Sequence, residues 1–222
     1  SIDRRIPEPF ETKWLSWIGP WNATMFVGQM EENRDVSEPY VWGMRAEFAP
    51  TILDGLEIGL FRVMQLGGEG RPSGFKTWAD AFLSQDNYGG NSKHQDKSKE
   101  PGNQLAGFDF RWRPLTQFPF ALYSQVVGED EDHFLPNALM LQYGVETWGS
   151  WDSSTWRMFV EYADTTSTWW TDEIRQNASY NHGIYSDGYR HYGRSMGHWS
   201  DSDSEIVSFG GLLANYEGNG WG

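Results

Sequence analysis

The stretch YVWGMRAEF (Tyr40 to Phe48) alternates strictly between large apolar side chains and side chains that are polar or small. The first set is Tyr40, Trp42, Met44, Ala46 and Phe48, and the set between them is Val41, Gly43, Arg45 and Glu47. Successive side chains of a strand point to opposite faces of a sheet. The stretch therefore predicts a strand with one apolar face and one face that tolerates charge.

The same alternation recurs along the chain. It is clear over 104–113, 138–148 and 155–163, and weaker over 21–30, 55–65, 118–128 and 205–215. In 55–65, Arg62 falls on the apolar side. With 40–49, this gives about eight predicted strands of about ten residues each, close to the 9–11 that a tilted strand needs to cross a bilayer. Strands of soluble proteins are commonly nearer five or six residues.

The predicted connections alternate in length. Short turns fall at 50–55, 114–117 and 149–154, and long loops fall at 31–39, 66–103, 129–137 and 163–204. Short periplasmic turns and long extracellular loops are typical of outer-membrane β-barrels. We therefore predict an all-β, antiparallel up-and-down transmembrane barrel with a minor helix near 73–83; a soluble β-sandwich that buries the same faces is the alternative.

Composition narrows the classes of function. Aromatic residues make up 16% of the 222, there is no Cys, and the formal net charge is -14. This acidity disfavours nucleic acid as a partner, and the lack of Cys excludes disulfides and thiolate metal sites. No apolar run is long enough for a membrane-spanning helix. No signal peptide begins at Ser1, which predicts a mature, truncated or cytosolic chain.

Candidate carbohydrate-binding residues lie in the two longest loops. Aromatic rings can stack on the C–H faces of sugars, while charged and amide groups bond their hydroxyls. The candidates are Glu69, Arg71, Asp86, Asn87, Trp169, Trp170, Tyr185, Tyr189, Arg190, Tyr192, Arg194 and His198. The alternative for the rings is that they pack the loop onto the barrel mouth as a plug, and both uses are open.

The chain also resembles the Wzi capsule-assembly family, through several segments in a specific order and spacing. These are PEPFETKWLSWIGPW (Pro7 to Trp21), FVGQMEENRDV (Phe26 to Val36), LEIGL followed by GGEGRP (Leu56 to Pro72), EPGNQLAGFD (Glu100 to Asp109), GEDE (Gly128 to Glu131), EYADTT (Glu161 to Thr166) and HGIYSDGYRHYGRSMGH (His182 to His198).

The resemblance implies a lectin-like barrel of about eighteen strands in the Gram-negative outer membrane, with periplasmic helices and no catalytic centre. It implies capsular polysaccharide and outer-membrane lipid as partners, with other capsule-export components as further candidates, and a role in attaching capsule to the cell surface. Family members are about twice as long, so we predict that residues 1–222 form one segment of a larger barrel.

Two other functions compete with polysaccharide binding. One is a channel lined by inward charges at Arg45, Glu47, Asp109, Arg111, Arg157 and Glu161. The other is a soluble sugar-active β-sandwich enzyme that uses the acids of 129–132, although consecutive acids are more often a solvated turn.

No cofactor is predicted, apart from a divalent cation that could bridge an acidic loop and an acidic capsule. Hard cations favour oxygen ligands. The candidate ligands are Glu129, Asp130, Asp201 and Asp203.

Overall fold

The computed structural model describes residues 2–82, 102–132, 135–167, 177–215, 217 and 220–222. Nearly all of its regular structure is β-strand. The strands are β1 (Ile2–Glu8), β2 (Trp21–Gln29), β3 (Tyr40–Phe48), β4 (Leu56–Leu66), β5 (Gly102–Trp112), β6 (Phe120–Asp132), β7 (Leu135–Trp151), β8 (Ser154–Asp164), β9 (Arg190–His191), β10 (Arg194–Ser195), β11 (Glu205–Asn215) and β12 (Gly220–Trp221). A short 3₁₀ turn covers Ser16–Ile18, and the helix α1 covers Phe75–Phe82.

The main sheet follows the chain. Its order is β1-β2-β3-β4-β5-β6-β7-β8-β11-β12, every pair of neighbours is antiparallel, and β9 pairs with β10 in a separate hairpin. The all-β antiparallel fold predicted from the alternating sequence is confirmed. Within the described ranges the sheet is open, with β1 and β12 at its edges.

A strand lies at each of the eight positions where the sequence predicts one, with ends shifted by a few residues. The sequence analysis missed β1, β12 and the β9–β10 hairpin. Ile2–Glu8 reads IDRRIPE, in which the charges interrupt any alternation, and two-residue strands carry no periodic signal. The assignment of 1–222 to a single barrel segment stays a prediction.

The predicted long loop over 129–137 is wrong. β6 continues to Asp132, β7 begins at Leu135, and these two residues pair across the hairpin. Backbone hydrogen bonds hold an antiparallel ladder together whatever its side chains, so a run of acids does not by itself end a strand. The side chains of Glu129 and Asp130 lie outside the described part of the structure.

The other connections alternate as predicted. The connections 49–55, 113–119 and 152–153 are short and lie at one end of the sheet, which we call the turn end. The connections 30–39, 67–101 and 165–204 leave and re-enter the sheet at the opposite end, the loop end.

The two faces of the sheet differ in chemistry. The face that carries Arg45, called the inner face, also carries Asp109, Arg111, Glu146 and Arg157. The face that carries Trp42, called the outer face, has a band of exposed apolar side chains across its strands. The band includes Leu60, Phe108, Tyr143, Val145, Met158, Val160, Val207, Phe209 and Leu213.

Helix α1 covers part of the outer face near the loop end. Trp78 packs against the buried cluster of Trp42, Met64 and Leu66, and the ring of Phe82 meets that of Trp42 edge to face at 5.7 Å. Under this helix Arg62 donates hydrogen bonds to the Phe82 carbonyl at 3.2 Å and to Gln104 Oε1. The helix thus accounts for an arginine on an otherwise apolar face.

No helix in the described ranges has the length and apolar character to span a membrane.

Candidate functional site

A buried, ion-paired arginine joins two of the long connections at the loop end. Arg34 donates to Glu31 Oε1 at 2.9 Å, and it also donates to the carbonyls of Gly188, at 2.7 Å, and Arg190. The side chains of Arg34 and Glu31 are only 2% and 7% exposed. Arg34 therefore clamps the segment around 188–190 onto the segment 30–39.

Glu31 extends this clamp to the β9–β10 hairpin. Its carboxylate accepts the backbone N–H of Tyr192 at 3.0 Å and lies 2.6 Å from His191 Nδ1. Burial alone would raise the pKa of Glu31, but hydrogen bonds from the backbone N–H groups of Glu31 and Tyr192, and from Arg34 and His191, lower this pKa to about 2. Glu31 is thus a fixed negative charge under the hairpin.

The tip of the hairpin presents one aromatic ring. Tyr192 and Gly193 form its turn with φ of 49° and 74°, as in type I′ turns, where Asn-Gly is the favoured pair. A tyrosine in this left-handed region costs about 1–2 kcal/mol. The ring of Tyr192 is 76% exposed and meets only the edge of the His191 ring among the described rings, at 4.6 Å. Packing therefore offsets little of the strain, a pattern found at functional positions.

A polar cleft of about 540 Å³ lies beside this ring. Its lining consists of Glu31, Asn33, Arg34, Asp187, Arg190, Tyr192 and Gly193. Asp187 Oδ2 accepts the backbone N–H of Asp35 at 2.7 Å, which fixes the far wall. An exposed ring beside carboxylate, amide and guanidinium groups can bind a polyhydroxylated ligand.

Two predicted contact residues have a different role. Tyr185 and Tyr189 are each 2% exposed, so neither ring can stack on a ligand. The Tyr185 hydroxyl donates to the Gly67 carbonyl at 3.0 Å, and that of Tyr189 to the Asn103 carbonyl at 2.6 Å. Burial raises the pKa of Tyr185 to about 12, although the nearby charge of Arg71 opposes this. These two rings pack the long loop against the sheet and the start of the connection 67–101.

Arg190 lines the cleft, but protein groups also bind its guanidinium. Arg190 holds both oxygens of Asp201, at 2.7 and 2.9 Å, and donates to Asn181 Oδ1 at 2.6 Å. Asp203 accepts the backbone N–H of Asn177 at 2.6 Å. Both oxygens of Asp201 and Oδ2 of Asp203 thus accept from protein donors, which leaves these carboxylates less capacity for a cation. Among the residues that the structure describes, no three His, Asp or Glu side chains are grouped so that they could hold a metal ion.

The other candidates are scattered or outside the described ranges. Glu69 and Arg194 are exposed at the loop end, while Arg71 and His198 are half-buried. Asp86, Asn87, Trp169 and Trp170 lie outside the described residues.

The inner face carries a charge network in the middle of the sheet. Arg45 binds both oxygens of Asp109, at 2.6 and 2.8 Å. Glu146 is buried and lies between Arg111 Nε at 3.0 Å and Arg157 Nε at 2.7 Å. These charges pair with each other, so they do not form the unpaired ring expected for a charge-selective channel.

The sequence analysis missed the residues that complete the cleft, namely Asn33, Asp187 and the Glu31–Arg34 pair. The signal was the polar run EENRD over Glu31 to Asp35, which is unusually dense for a connection between two strands.

An antiparallel sheet with an uncovered apolar outside, a charged inside and loops clamped over one end has the features of a β-barrel wall. The chain belongs to the capsule assembly protein Wzi family, whose sequence model matches residues 1–210.

Two relatives extend the comparison. An uncharacterized 55.8 kDa protein in the cps region of Klebsiella pneumoniae is 41% identical over 157 residues, which are 70% of this chain and 29% of that protein. The structure of Wzi from Escherichia coli, described as an outer membrane protein involved in group 1 capsule assembly and a carbohydrate-binding β-barrel, aligns with a TM-score of 0.80 at 33% identity. That alignment covers 97% of this chain and 43% of Wzi. The chain thus spans less than half the length of either relative.

Proposed function

We propose that this chain is part of a Gram-negative outer-membrane barrel that binds capsular polysaccharide non-covalently and helps to assemble and attach capsule at the cell surface. Family membership and the carbohydrate-binding Escherichia coli relative support this function. The observation that carries it is the exposed ring of Tyr192, a residue with a strained backbone, beside a polar cleft at the loop end.

The outer face supports the membrane location. Apart from Glu205 at the loop end, its exposed side chains in the described residues are apolar from β4 to β11. Exposed apolar patches of this extent are rare on soluble monomers. Strands of 9 to 17 residues between β2 and β8 are long enough to cross a bilayer when tilted. In this arrangement lipid covers the band, the turn end faces the periplasm and the loop end faces the exterior. The segment contributes its strands to a barrel of about eighteen.

The cleft supports binding rather than catalysis. Sugars are recognised by a ring for their C–H face and by side chains that hydrogen-bond their hydroxyls. Tyr192 supplies the ring, and Asn33 and Asp187 supply hydrogen-bonding groups within the same cleft. Glu69, Arg71 and Arg194 are further contact candidates at the loop end. Trp169 and Trp170 stay candidates from the sequence. The chain is in this proposal not an enzyme, and lipid and polysaccharide are its partners.

The test is retention of the detergent-purified, full-length protein on a panel of immobilised capsular polysaccharides. Tyr192→Ala removes the presented ring, and loss of one aromatic contact of about 1.4 kcal/mol should weaken retention about tenfold. Trp151→Ala is the matched control, because that ring is 83% exposed but lies at the turn end. Equal retention of the two variants would remove the cleft from the proposal, and no retention of the wild-type protein would refute the function.

A cation is not needed in this proposal. Asp201 and Asp203 are held by protein donors, so dialysis against EDTA should leave retention unchanged. A loss that Ca²⁺ restores would reinstate a bridging cation.

A further inference from the structure

Two cavities on the inner face meet at a pair of glutamines. The upper cavity, about 530 Å³, lies below residues 196–199 of the long loop, and the lower one, about 710 Å³, lies over the charge network. Gln125 and Gln142 line both cavities. They are directly opposite each other in the β6–β7 register, so their amides lie side by side on the inner face.

These two amides have unused hydrogen-bonding capacity. Both residues are half-buried, and among the described residues neither side-chain amide takes part in a hydrogen bond. Each amide offers two donor hydrogens and an acceptor oxygen. Gln65 on the same face provides the contrast, because it is fully buried and donates to the Gly188 carbonyl at 2.8 Å. Gln65 holds the loop, whereas Gln125 and Gln142 face open space.

The mouth of the upper cavity has an aromatic wall. Trp199 is 70% exposed, and its ring centroid lies 5.6 Å from that of His198. Burial lowers the pKa of His198, although the charge of Glu161 opposes this, so the imidazole is neutral at pH 7. His198 Nδ1 accepts the Ser200 backbone N–H at 3.3 Å, which leaves the proton on Nε2 as a further donor.

The floor of the lower cavity has no charge excess. Its lining contains three arginines and three carboxylates, namely Arg45, Arg111, Arg157, Asp109, Glu146 and Glu161. Arg45 pairs with Asp109, and Glu146 with the two other arginines. The Glu161 carboxylate accepts the Tyr123 hydroxyl at 3.0 Å. The described lining of the upper cavity contains no Arg, Lys, Asp or Glu. An uncharged lining above a floor of balanced charges favours an uncharged ligand over an anion or a cation.

We propose that the upper cavity is a second, inner subsite for one neutral sugar unit, stacked at Trp199 with its hydroxyls bonded to Gln125 and Gln142. The subsite rests on the proposed carbohydrate-binding function and deepens it. Its volume falls within the range of about 300–1,000 Å³ that is usual for small-ligand sites. The exposed cleft at Tyr192 contacts the polymer outside, and the inner subsite receives a single unit of it.

The experiment uses the full-length protein in detergent and measures binding of glucose, galactose, mannose and glucuronate by calorimetry. Gln125→Leu combined with Gln142→Leu keeps the volume but removes both amides. At about 1 kcal/mol for each lost hydrogen bond, binding of whichever neutral sugar the wild type prefers should weaken at least tenfold. The control is Gln117→Leu, an exposed glutamine at the turn end, which should bind as the wild type does. Glucuronate should bind no tighter than glucose.

Trp199→Ala gives an independent readout, since its exposed ring can be removed without disturbing the sheet. This variant should lose the sugar-induced change in tryptophan fluorescence and also bind neutral sugars more weakly. Wild-type affinity in both the glutamine and the Trp199 variants would overturn the inner subsite, as would tighter binding of glucuronate.

The two proposals fail in different ways. A wild-type protein that retains polysaccharide but binds no neutral monosaccharide overturns the inner subsite alone. Failure to retain any polysaccharide refutes the proposed function. If the inner subsite is correct, Tyr192→Ala weakens polysaccharide retention while monosaccharide binding stays unchanged.

Discussion

Replacing Arg34 with Met tests whether the clamp holds the long loop over the sheet. Arg34 makes three hydrogen bonds, to Glu31 and to the carbonyls of Gly188 and Arg190. Met retains the apolar bulk and removes all three. Because removal of one partner of a buried ion pair costs about 3–5 kcal/mol, the loop over 177–204 should open at least about a hundredfold more often, at 1.4 kcal/mol per tenfold.

Trypsin can measure this opening. Arg194 lies in the β9–β10 hairpin and becomes a good trypsin substrate only when the hairpin unfolds locally. The cleavage rate then follows the population of the open form. Cleavage after Arg194, identified by peptide mass, should be about a hundredfold faster in Arg34→Met. Arg113→Met, at the exposed turn end, is the control and should not change the rate. An unchanged rate in Arg34→Met would show that the clamp does not hold the loop.

Three further predictions concern the same framework. The folded state lowers the pKa of Glu31 from 4.5 to about 2, so the stabilisation of the loop by Glu31 is complete above pH 4.5 and lost as the pH falls towards 2. Pepsin digestion should be faster at the low end of this range, and Glu31→Gln should abolish this pH dependence. Glu146→Gln should lower the free energy of unfolding by about 1.5–3 kcal/mol. The measurement is the temperature at which the folded protein changes to the mobility of the unfolded chain on a denaturing gel, which should be lower in the variant. Gly188→Ala, with φ of 62° and a Cβ 2.0 Å from the Tyr180 carbonyl oxygen, should loosen the loop far more than Gly193→Ala, with φ of 74° and no atom within 4 Å, when both are digested with trypsin.

The alternating pattern predicted the sheet well because each strand carries its own signal. Tyr40 to Phe48 shows which residues share a face without knowledge of any partner strand, and the register of β3 with β2 and β4 keeps those faces aligned. The same local logic failed over 129–137, where acids suggested a loop but the backbone ladder continues to Asp132.

The site could be predicted only in part, because its contacts join distant parts of the chain. The sequence gives no sign that Arg34 reaches Gly188, 154 positions away. Ring density drew attention to 163–204, but it could not separate the buried Tyr185 and Tyr189 from the exposed Tyr192. Arg62 departs from the alternating pattern of its strand. The helix that explains this departure lies on the outer face and is not part of that strand.

The order of the sheet has a consequence for how the protein is assembled. From β1 to β8 every strand pairs only with those next to it in sequence, so the wall can grow by successive hairpins with little loss of chain entropy at each step. Two steps cost more, because β5 joins β4 across the long connection 67–101 and β11 joins β8 across 165–204. Arg34 ties part of 165–204 to the connection 30–39. This contact shortens the free length of chain that β11 has to close, so the clamp and the docking of β11 should assist each other.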